Sequence, residues 1–413
     1  MIRSAGSGFG TFRTAWFGVV AALVALAVAG CSSGRASTAG PVSPSGTRSP
    51  SGSTASTDDP TPVGTGPFAH PLPGMPPVID GDVYGADRPG ELSPAVAGDR
   101  PMVYVPDSSP SGHTVTLIDP ATYKVVGHIE VGDLSQHVTP SYDLTRLYTN
   151  SSVSNELVQL DPRTARKVRS ISVPRPYNLY FTPDGKQAVV MVEQHDVIQF
   201  SRPKSFKVIK GVTAPGCSGP NHADFSANGR FMVVTCEFSG ELVKIGTLSH
   251  KVLGVLRFGS MSMPQDVRLS PDGRSFYVAD MGTNQLRRVS AKTFKQVGAL
   301  AMPSHPHGLY ISRDSRFLYV SDRGAGKVSV VSFRTHRIVD TWVIPGGGSP
   351  DMGGVSADGK TLWLAGRYDH EVYAFDTATG KLRARIQVPG SPHGLCVWPQ
   401  PGRYSLGHTG NLR

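Results

Sequence analysis

The sequence predicts an all-β protein, a seven-bladed β-propeller of four-stranded antiparallel blades, and two observations predict it. Gly (47) and Pro (34) approach a fifth of the 413 residues, an excess of turn formers that favours many short strands over a helical bundle. An aliphatic or aromatic pair also recurs seven times, with its second members 44, 41, 44, 44, 42 and 44 residues apart. A repeat of this length is typical of a propeller blade. The seven pairs are Val103-Tyr104, Leu147-Tyr148, Ala188-Val189, Met232-Val233, Phe276-Tyr277, Leu318-Tyr319 and Leu362-Trp363.

Each period carries the signals of four strands. A turn such as Asp184-Gly185 precedes most of the pairs, and Gly there supplies the positive φ that tight hairpins need. An alternating strand such as Thr114–Asp119 and a fourth strand such as Val125–Val131 follow the pair. We expect the C-terminal segment His393–Leu406 to pair with the first strand, at Met102–Ile118, and so to close the ring without free edges.

The first thirty residues predict export. They contain two arginines and no acid, and an apolar run at 15–30 has about the length of a signal-peptide core. The run ends in Val28-Ala29-Gly30-Cys31, which resembles the lipobox of bacterial lipoproteins. That resemblance implies cleavage before Cys31 and a diacylglycerol on its thiol, which would anchor the protein in the lipid bilayer. An ordinary secretory signal and an uncleaved anchor helix are the alternatives.

Residues 31–100 predict a disordered linker followed by an N-terminal extension of the propeller. From Ser32 to Gly66, 26 of 35 residues are Ser, Thr, Gly or Pro, too little apolar surface to offset the ordering entropy, so residues 31–66 should be a disordered linker. Residues 67–100 are expected to pack across one face of the propeller, which would occupy 101–413. The predicted location is the outer face of the bacterial cell membrane, where disulfides persist.

The repeats also resemble a known family. Leu147-Tyr148-Thr149-Asn150, Tyr277-Val278-Ala279-Asp280 and Tyr319-Val320-Ser321-Asp322 look like the YVTN-type β-propeller repeat, over about residues 100–413. Members of that superfamily include envelope proteins, lactonases and antibiotic lyases. The resemblance therefore implies the fold and leaves the activity open.

The histidines are distributed unevenly between the two faces. Strand direction alternates within a blade, so the loop after each pair and the connection into each innermost strand must share one face. Nine of the thirteen histidines are assigned to that face. They are His113, His137, His195, His222, His305, His307, His370, His393 and His408.

Residues that lead into the innermost strands should ring the mouth of the central channel. The predicted ligand-binding set is Gln136, His137, Tyr177, Asn178, Asn221, His222, Asp266, His307, Asp351 and His393. Imidazole and thioether suit copper and other late metals, whereas several carboxylates would suit calcium or magnesium. The metal-ligand candidates are His137, His222, His305, His307, His393 and Met302. The alternative is a polar pocket or a protein-contact surface without a metal.

The cysteines allow two interpretations. Cys217 precedes an innermost strand and Cys236 ends the strand paired with it, so a disulfide between them is expected in an oxidising compartment. A metal pair of Cys217 with His222 is the alternative. The chain contains no Cys-x-x-Cys-His, Gly-x-Ser-x-Gly, Walker loop or His-Glu-x-x-His motif, which argues against covalent c-type haem and several hydrolase classes.

Three functional hypotheses follow from these features. The first is a non-catalytic envelope protein that binds a small ligand or a partner at the His-rich mouth. The second is a copper or other late-metal protein for storage or electron transfer. The third is a lactonase- or lyase-like enzyme with a channel histidine as general base.

Cleavage before Cys31 would remove Arg3 and Arg13 and change the formal net charge from +10 to +8. This charge is spread over the repeats, which indicates a solvated surface or attraction to anionic wall polymers and lipid headgroups. Nucleic acid is not an expected partner of an exported lipoprotein.

Overall fold

The structure, a computed structural model, describes residues 65–408 and 410–413. The predicted signal peptide, Cys31 and nearly all of the predicted linker lie outside these residues. Within them the chain forms seven four-stranded antiparallel sheets, which confirms the predicted seven-bladed β-propeller. No helix in the described part of the chain has the length and apolar character needed to cross a membrane.

The blades follow one another along the chain. Blade 1 contains β1 (Met102–Pro106), β2 (Thr114–Asp119) and β3 (Lys124–Glu130), and blade 2 contains β4 (Ser135–Pro140), β5 (Leu147–Ser151), β6 (Glu156–Asp161) and β7 (Arg166–Ser172). Blade 3 contains β8 (Asn178–Phe181), β9 (Ala188–Val192), the 3-10 turn Glu193–His195, β10 (Val197–Ser201) and β11 (Val208–Val212). Blade 4 contains β12 (Pro220–Phe225), β13 (Phe231–Cys236), β14 (Glu241–Gly246) and β15 (Val252–Arg257). Blade 5 contains β16 (Pro264–Leu269), β17 (Ser275–Asp280), β18 (Gln285–Ser290) and β19 (Gln296–Ala301). Blade 6 contains β20 (Pro306–Ile311), β21 (Phe317–Asp322), β22 (Lys327–Ser332) and β23 (Ile338–Val343), and blade 7 contains β24 (Pro350–Val355), β25 (Thr361–Gly366), β26 (Glu371–Asp376) and β27 (Leu382–Gln387).

The ring is closed by the C-terminal part of the chain. Strand β28 (Cys396–Trp398) pairs with β1 as the innermost strand of blade 1, with Val103 opposite Val397. This closure was predicted, and it removes the free sheet edges that an open ring would leave. The seven blades, this closing pair and the apolar clusters between blades all lie within residues 65–413, so this part of the chain contains a complete core of its own.

Burial decreases from the channel outwards. The innermost strands, such as β4 and β24, are buried along their whole length, because neighbouring blades pack on both of their faces and their inner edges surround the channel. The fourth strands, such as β7, are largely exposed at the rim. Large apolar side chains, among them Trp363 and Tyr104, fill the spaces between facing sheets. The core is therefore divided into six clusters along the boundaries between blades, one of which spans blades 4 to 6.

The two faces of the propeller carry different connections. We call the face with the connections into the innermost strands the mouth face, and the face with the Asp-Gly hairpin turns the turn face. Residues 67–100 cross the turn face, where the backbone N–H of Leu72 donates to the carbonyl of Asn228 (2.7 Å) and that of Val83 to the carbonyl of Pro271 (2.9 Å). This segment therefore covers part of the turn face.

Cys217 and Cys236 form a disulfide in blade 4, at a sequence separation of 19, with their Cα atoms 5.2 Å apart. Replacing both by serine should lower the free energy of unfolding by about 3 kcal/mol, since the open loop regains its conformational entropy in the unfolded chain. Urea denaturation would measure the loss, and reductant added to the unchanged protein should reproduce it. A double variant as stable as the parent would show that the bond contributes nothing to stability.

Candidate metal centre

Irregular pairing at the start of the innermost strands brings polar side chains into the channel. In β12 the register with β13 shifts by one residue between Pro220 and Ala223, and β4, β16, β20 and β24 show the same bulge at the equivalent point. A bulge leaves a residue unpaired and turns side chains away from the sheet. In these five blades two successive residues therefore reach the channel, one nearer the mouth face and one deeper. The innermost strands of blades 3 and 1, β8 and β28, pair without this shift, and their channel residues lie at or before the strand start.

These residues form two layers around the channel. The upper layer, nearer the mouth face, consists of Gln136, Tyr177, Asn221, Gln265, His307, Asp351 and His393. The lower layer consists of His137, Asn178, His222, Asp266, Gly308, Met352 and Gly394. A Cβ atom at Gly394 would overlap the imidazole of His137, so this glycine leaves the space that the histidine occupies.

The C-terminal tail adds a further histidine to the lower layer. After β28, residues 399–413 lie against the innermost strands, where the Asn411 side-chain amide donates to the carbonyl of Ala223 (2.9 Å). This path places the ring of His408 beside those of His137 and His222, with centroid separations of 5.1 and 4.9 Å. The three imidazoles, one from the tail and two from bulged strands, form a cluster that we call the histidine triad.

The triad has nitrogen atoms without protein partners. One ring nitrogen from each histidine lies within 4.8 Å of the other two. The Nδ1–H of His137 donates to the carbonyl of Tyr177 (3.0 Å), which leaves the lone pair of Nε2 unshared. No described residue hydrogen-bonds to Nε2 of His137, to either ring nitrogen of His222 or to Nε2 of His408. Each buried polar atom left in this state costs about 1–3 kcal/mol, so the cluster is poorly explained as packing alone.

Burial keeps these imidazoles uncharged. The three side chains are at most 1% exposed. Burial lowers the pKa of His137 to about 3 and brings the pKa of His222 and His408 well below the usual value. A neutral imidazole offers a lone pair, which is the form that binds metal ions.

The upper layer is organised around one carboxylate. Asp351 accepts hydrogen bonds from Nδ1 of His307 (2.9 Å) and Nδ1 of His393 (2.8 Å) and lies beside Arg323 (3.2 Å) and Arg367 (3.6 Å). Burial opposes ionisation of Asp351, but these donors and charges outweigh it and hold its pKa well below the usual value. Nε2 of His393 accepts from the hydroxyl of Tyr177 (3.3 Å). Both ring nitrogens of His393 and Nδ1 of His307 therefore have protein partners. In the triad, Nδ1 of His137 and Nδ1 of His408 are bonded as well, the latter to the Asn178 amide (3.3 Å), and the remaining four nitrogens have no hydrogen-bond partner among the described residues.

The ten residues predicted for the mouth all belong to these two layers, and each is at most 8% exposed. Two of the metal-ligand candidates are elsewhere: His305 is exposed and contacts Ser304, and Met302 packs in the apolar cluster between blades 5 and 6. Cys217 is bonded to Cys236, so the structure does not pair it with His222. Sequence reasoning assigned His408 to the mouth face, because the tail after the seventh repeat has no blade register. This assignment is wrong: the tail packs on the turn face, where the backbone N–H of Ser405 donates to the carbonyl of Tyr142 (3.0 Å) and that of Gly402 to the carbonyl of Glu91 (3.0 Å).

A family model for the YNCE-like beta-propeller matches residues 95–401, about three quarters of the chain. The protein belongs to this family. The match covers all seven blades apart from the last residues of the closing segment, and it agrees with the YVTN-type repeat identified from the sequence. No match to this chain was found among curated proteins.

Several solved structures share the propeller fold of this YNCE-like protein. Hydrazine synthase of Kuenenia stuttgartiensis is 21% identical, with a TM-score of 0.57 over 65% of this chain and 91% of that chain. A functionally unknown protein from Desulfotomaculum acetoxidans is 16% identical, with a TM-score of 0.62 over 72% of this chain and 98% of that chain. Dihydro-heme d1 dehydrogenase NirN is 14% identical, with a TM-score of 0.55 over 75% and 76% of the two chains. At these identities the likeness concerns the fold alone.

Proposed function

We propose that this protein is a metal-binding propeller of the bacterial cell envelope that holds one late transition metal ion, copper or zinc, in its channel. His137, His222 and His408 would supply the ligands. The observation that carries the proposal is the triad itself: three neutral, buried imidazoles, each with one nitrogen within 4.8 Å of the other two. Four of their six ring nitrogens have no hydrogen-bond partner among the described residues, and the nearest carboxylate contact, from Nε2 of His408 to Asp266, is 3.9 Å long. Location at the outer face of the membrane, with a lipid on Cys31, is the part of the proposal that rests on the sequence alone.

The donor set supports copper or zinc over a hard cation. Imidazole nitrogen suits zinc, copper and nickel, whereas calcium and magnesium prefer several oxygen ligands. The nearby carboxylate of Asp266 is engaged by the guanidinium of Arg268 (3.0 Å) and by the backbone N–H groups of Val267 and Leu309. Bonds of about 2.0–2.1 Å to zinc place ligand nitrogens roughly 3.3 Å apart, so metal binding would draw the triad together by an ångström or so.

Burial favours an ion over a larger ligand. The ten mouth residues are almost fully covered, so a protein partner docking on the mouth face would touch few of them. The lactonase- or lyase-like hypothesis needs an imidazole that is presented to a substrate. Asp351 orients His307 and His393 through Nδ1, but these side chains are at most 3% exposed, so neither imidazole is presented to a substrate. If the protein is a non-catalytic binding protein, a metal ion therefore fits the site better than a small molecule or a protein partner.

Metal content measured by mass spectrometry would test the proposal. The fragment 65–413 would be loaded separately with copper, zinc and calcium and then dialysed. We expect about one equivalent of copper or zinc per chain and no calcium. Changing His408→Ala or His222→Leu removes a ligand and should weaken binding by more than the roughly 10–100-fold that outer-shell changes cost.

His305→Ala is the matched control, because it removes an exposed imidazole outside the triad and should leave the metal content unchanged. Substoichiometric metal under all three loadings would refute the proposal. Equal losses in His305→Ala and His408→Ala would also refute it, since binding would then not depend on the channel.

A further inference from the structure

The turns between third and fourth strands place one cation per blade on the rim of the turn face. In all seven blades the residue before this cation has a left-handed backbone, with φ between 52° and 68°, which ends the turn and starts the fourth strand. The side chain that follows is exposed in every case. These cations are Lys124, Arg166, Lys207, Lys251, Lys295, Arg337 and Lys381.

Four consecutive blades lack the acid that begins this turn in the other three. The turns of blades 1, 2 and 7 begin with Asp119, Asp161 and Asp376. The turns of blades 3 to 6, at 201–207, 246–251, 290–295 and 332–337, begin with Ser or Gly and contain eight Lys or Arg and no Asp or Glu. We call these four turns the basic sector. Among these seven turns, the excess of positive charge is therefore greatest in four neighbouring blades.

A groove between blades 5 and 6 extends the basic sector. It has a volume of about 880 Å³, and its lining includes Arg274, Arg288, Arg316 and Arg334. Asp272 is the acid in the lining, and its carboxylate lies 3.9 Å from the Arg274 guanidinium. Arg316 is paired with Asp314 (2.8 Å). Guanidinium groups bind phosphate oxygens through paired hydrogen bonds, so a groove with this excess of arginine fits phosphate-bearing groups.

The chain leaves the propeller beside this sector. Thr65, the first described residue, lines a second groove on the turn face together with Lys244, Arg274 and Lys292. Cys31, the predicted lipid attachment site, is 34 residues further towards the N-terminus. The tether therefore starts on the face that carries the basic sector, opposite the mouth face.

We infer that the basic sector is the surface with which the propeller rests on an anionic phospholipid bilayer, so that the mouth of the channel is directed away from the membrane. Leu248, in the blade 4 turn of the sector, is 54% exposed and provides an apolar contact for the interface. The inference rests on the proposed extracytoplasmic location and not on the channel metal. Each cation near an anionic bilayer increases partitioning about fivefold, and salt screens the attraction.

Vesicle sedimentation with the unlipidated fragment 65–413 would test this surface. We expect binding to phosphatidylcholine vesicles that contain phosphatidylglycerol, none to phosphatidylcholine alone, and release at about 1 M salt, where the Debye length is near 3 Å. The double variant Lys251→Gln/Lys295→Gln removes two cations of the sector and should weaken binding at least about tenfold.

The matched control is Lys124→Gln/Lys381→Gln, which makes the same charge change at the same turn position in blades 1 and 7. It should weaken binding by less than about twofold, because those cations lie outside the sector and beside acids. Equal losses in the two double variants would overturn the inference, since net charge rather than the sector would then drive binding. Failure to bind vesicles, with retention of soluble poly(glycerol phosphate), would overturn it in favour of a wall polymer.

This outcome is separable from that of the metal proposal. All four lysines lie on the rim, away from the triad, so both double variants should keep the metal content of the parent fragment. A negative vesicle result with normal metal content would reject the docking surface alone.

Discussion

Replacing Asp351 by asparagine should lower the free energy of unfolding by about 3–5 kcal/mol, the usual cost of removing one partner from a buried ion pair. Asp351 has no exposed surface and is the shared acceptor of His307, His393 and two arginines. Without its charge, Arg323 and Arg367 remain largely buried beside a neutral amide. Urea denaturation of the fragment 65–413 at pH 7 would measure the loss.

The pH dependence of this loss has a definite sign. The pKa of Asp351 is lower in the folded protein than in the unfolded chain, so its stabilisation is complete above the ordinary aspartate pKa and disappears as the pH falls below it. The difference between the parent and Asp351→Asn should therefore shrink below about pH 4. Glu130→Gln, at an exposed carboxylate, is the control and should leave stability unchanged. A loss as small as that of the control would mean that the arginines are satisfied without Asp351.

Replacing His222 by leucine should raise the free energy of unfolding of the metal-free protein, in contrast to Asp351→Asn. Both ring nitrogens of His222 are buried without partners, and leucine fills a similar volume without polar atoms. We expect the free energy of unfolding at pH 7 to rise by about 1–3 kcal/mol. The same change removes a proposed ligand, so stability gained without metal would come with loss of metal binding.

Lowering the pH should increase the stability advantage of His222→Leu over the parent, whereas adding metal should reverse it. Burial lowers the pKa of His222 well below that of the unfolded chain, so between about pH 6.5 and 5 the unfolded parent binds a proton that the folded parent does not. The advantage of His222→Leu should therefore grow by up to about 1.4 kcal/mol per pH unit in that window. Saturating copper or zinc should reverse the order, since a ligand at a hundred times its Kd stabilises the parent by about 2.7 kcal/mol.

Parallel denaturation of the parent, His222→Leu and His305→Ala, with and without metal, would check both effects. His305 is exposed and outside the triad, so His305→Ala should follow the parent at every pH. If His222→Leu were less stable than the parent without metal, the imidazole of His222 would have a structural partner, and the argument for an open metal site would fail.

Much of the fold was readable from local signals. The Asp-Gly turns, the alternating strands and the period near 43 residues are properties of short segments, so they appear in the sequence directly. They predicted seven blades, the closure by the C-terminal segment and the face on which His137, His222, His307 and His393 lie. The disulfide partners were predictable for the same reason, because both cysteines flank strands of one hairpin.

The different environments of the individual histidines could not be predicted from local signals. His307 and His393 stand one position before the places of His137 and His222 in the repeat, and all four were predicted for one mouth. In the structure Asp351 binds the first two, whereas Nε2 of His137 and both ring nitrogens of His222 have no hydrogen-bond partner among the described residues. His305 and Met302 share the same loop as His307, but one faces solvent and the other packs between blades. A shift of one residue along the strand decides whether a side chain lies in the channel, in the core or in solvent. The bulges that set this shift are seen only in the structure.

The sequence by itself determined the propeller, its order of blades and the chemistry available at the mouth, because the repeat encodes each blade locally. Only the tertiary structure decided which imidazoles converge. His408 meets His137 and His222 across more than 180 residues of chain, through a tail that follows the innermost strands and has no repeat of its own. Such a contact depends on closure of the whole ring, and no local pattern in the sequence records it.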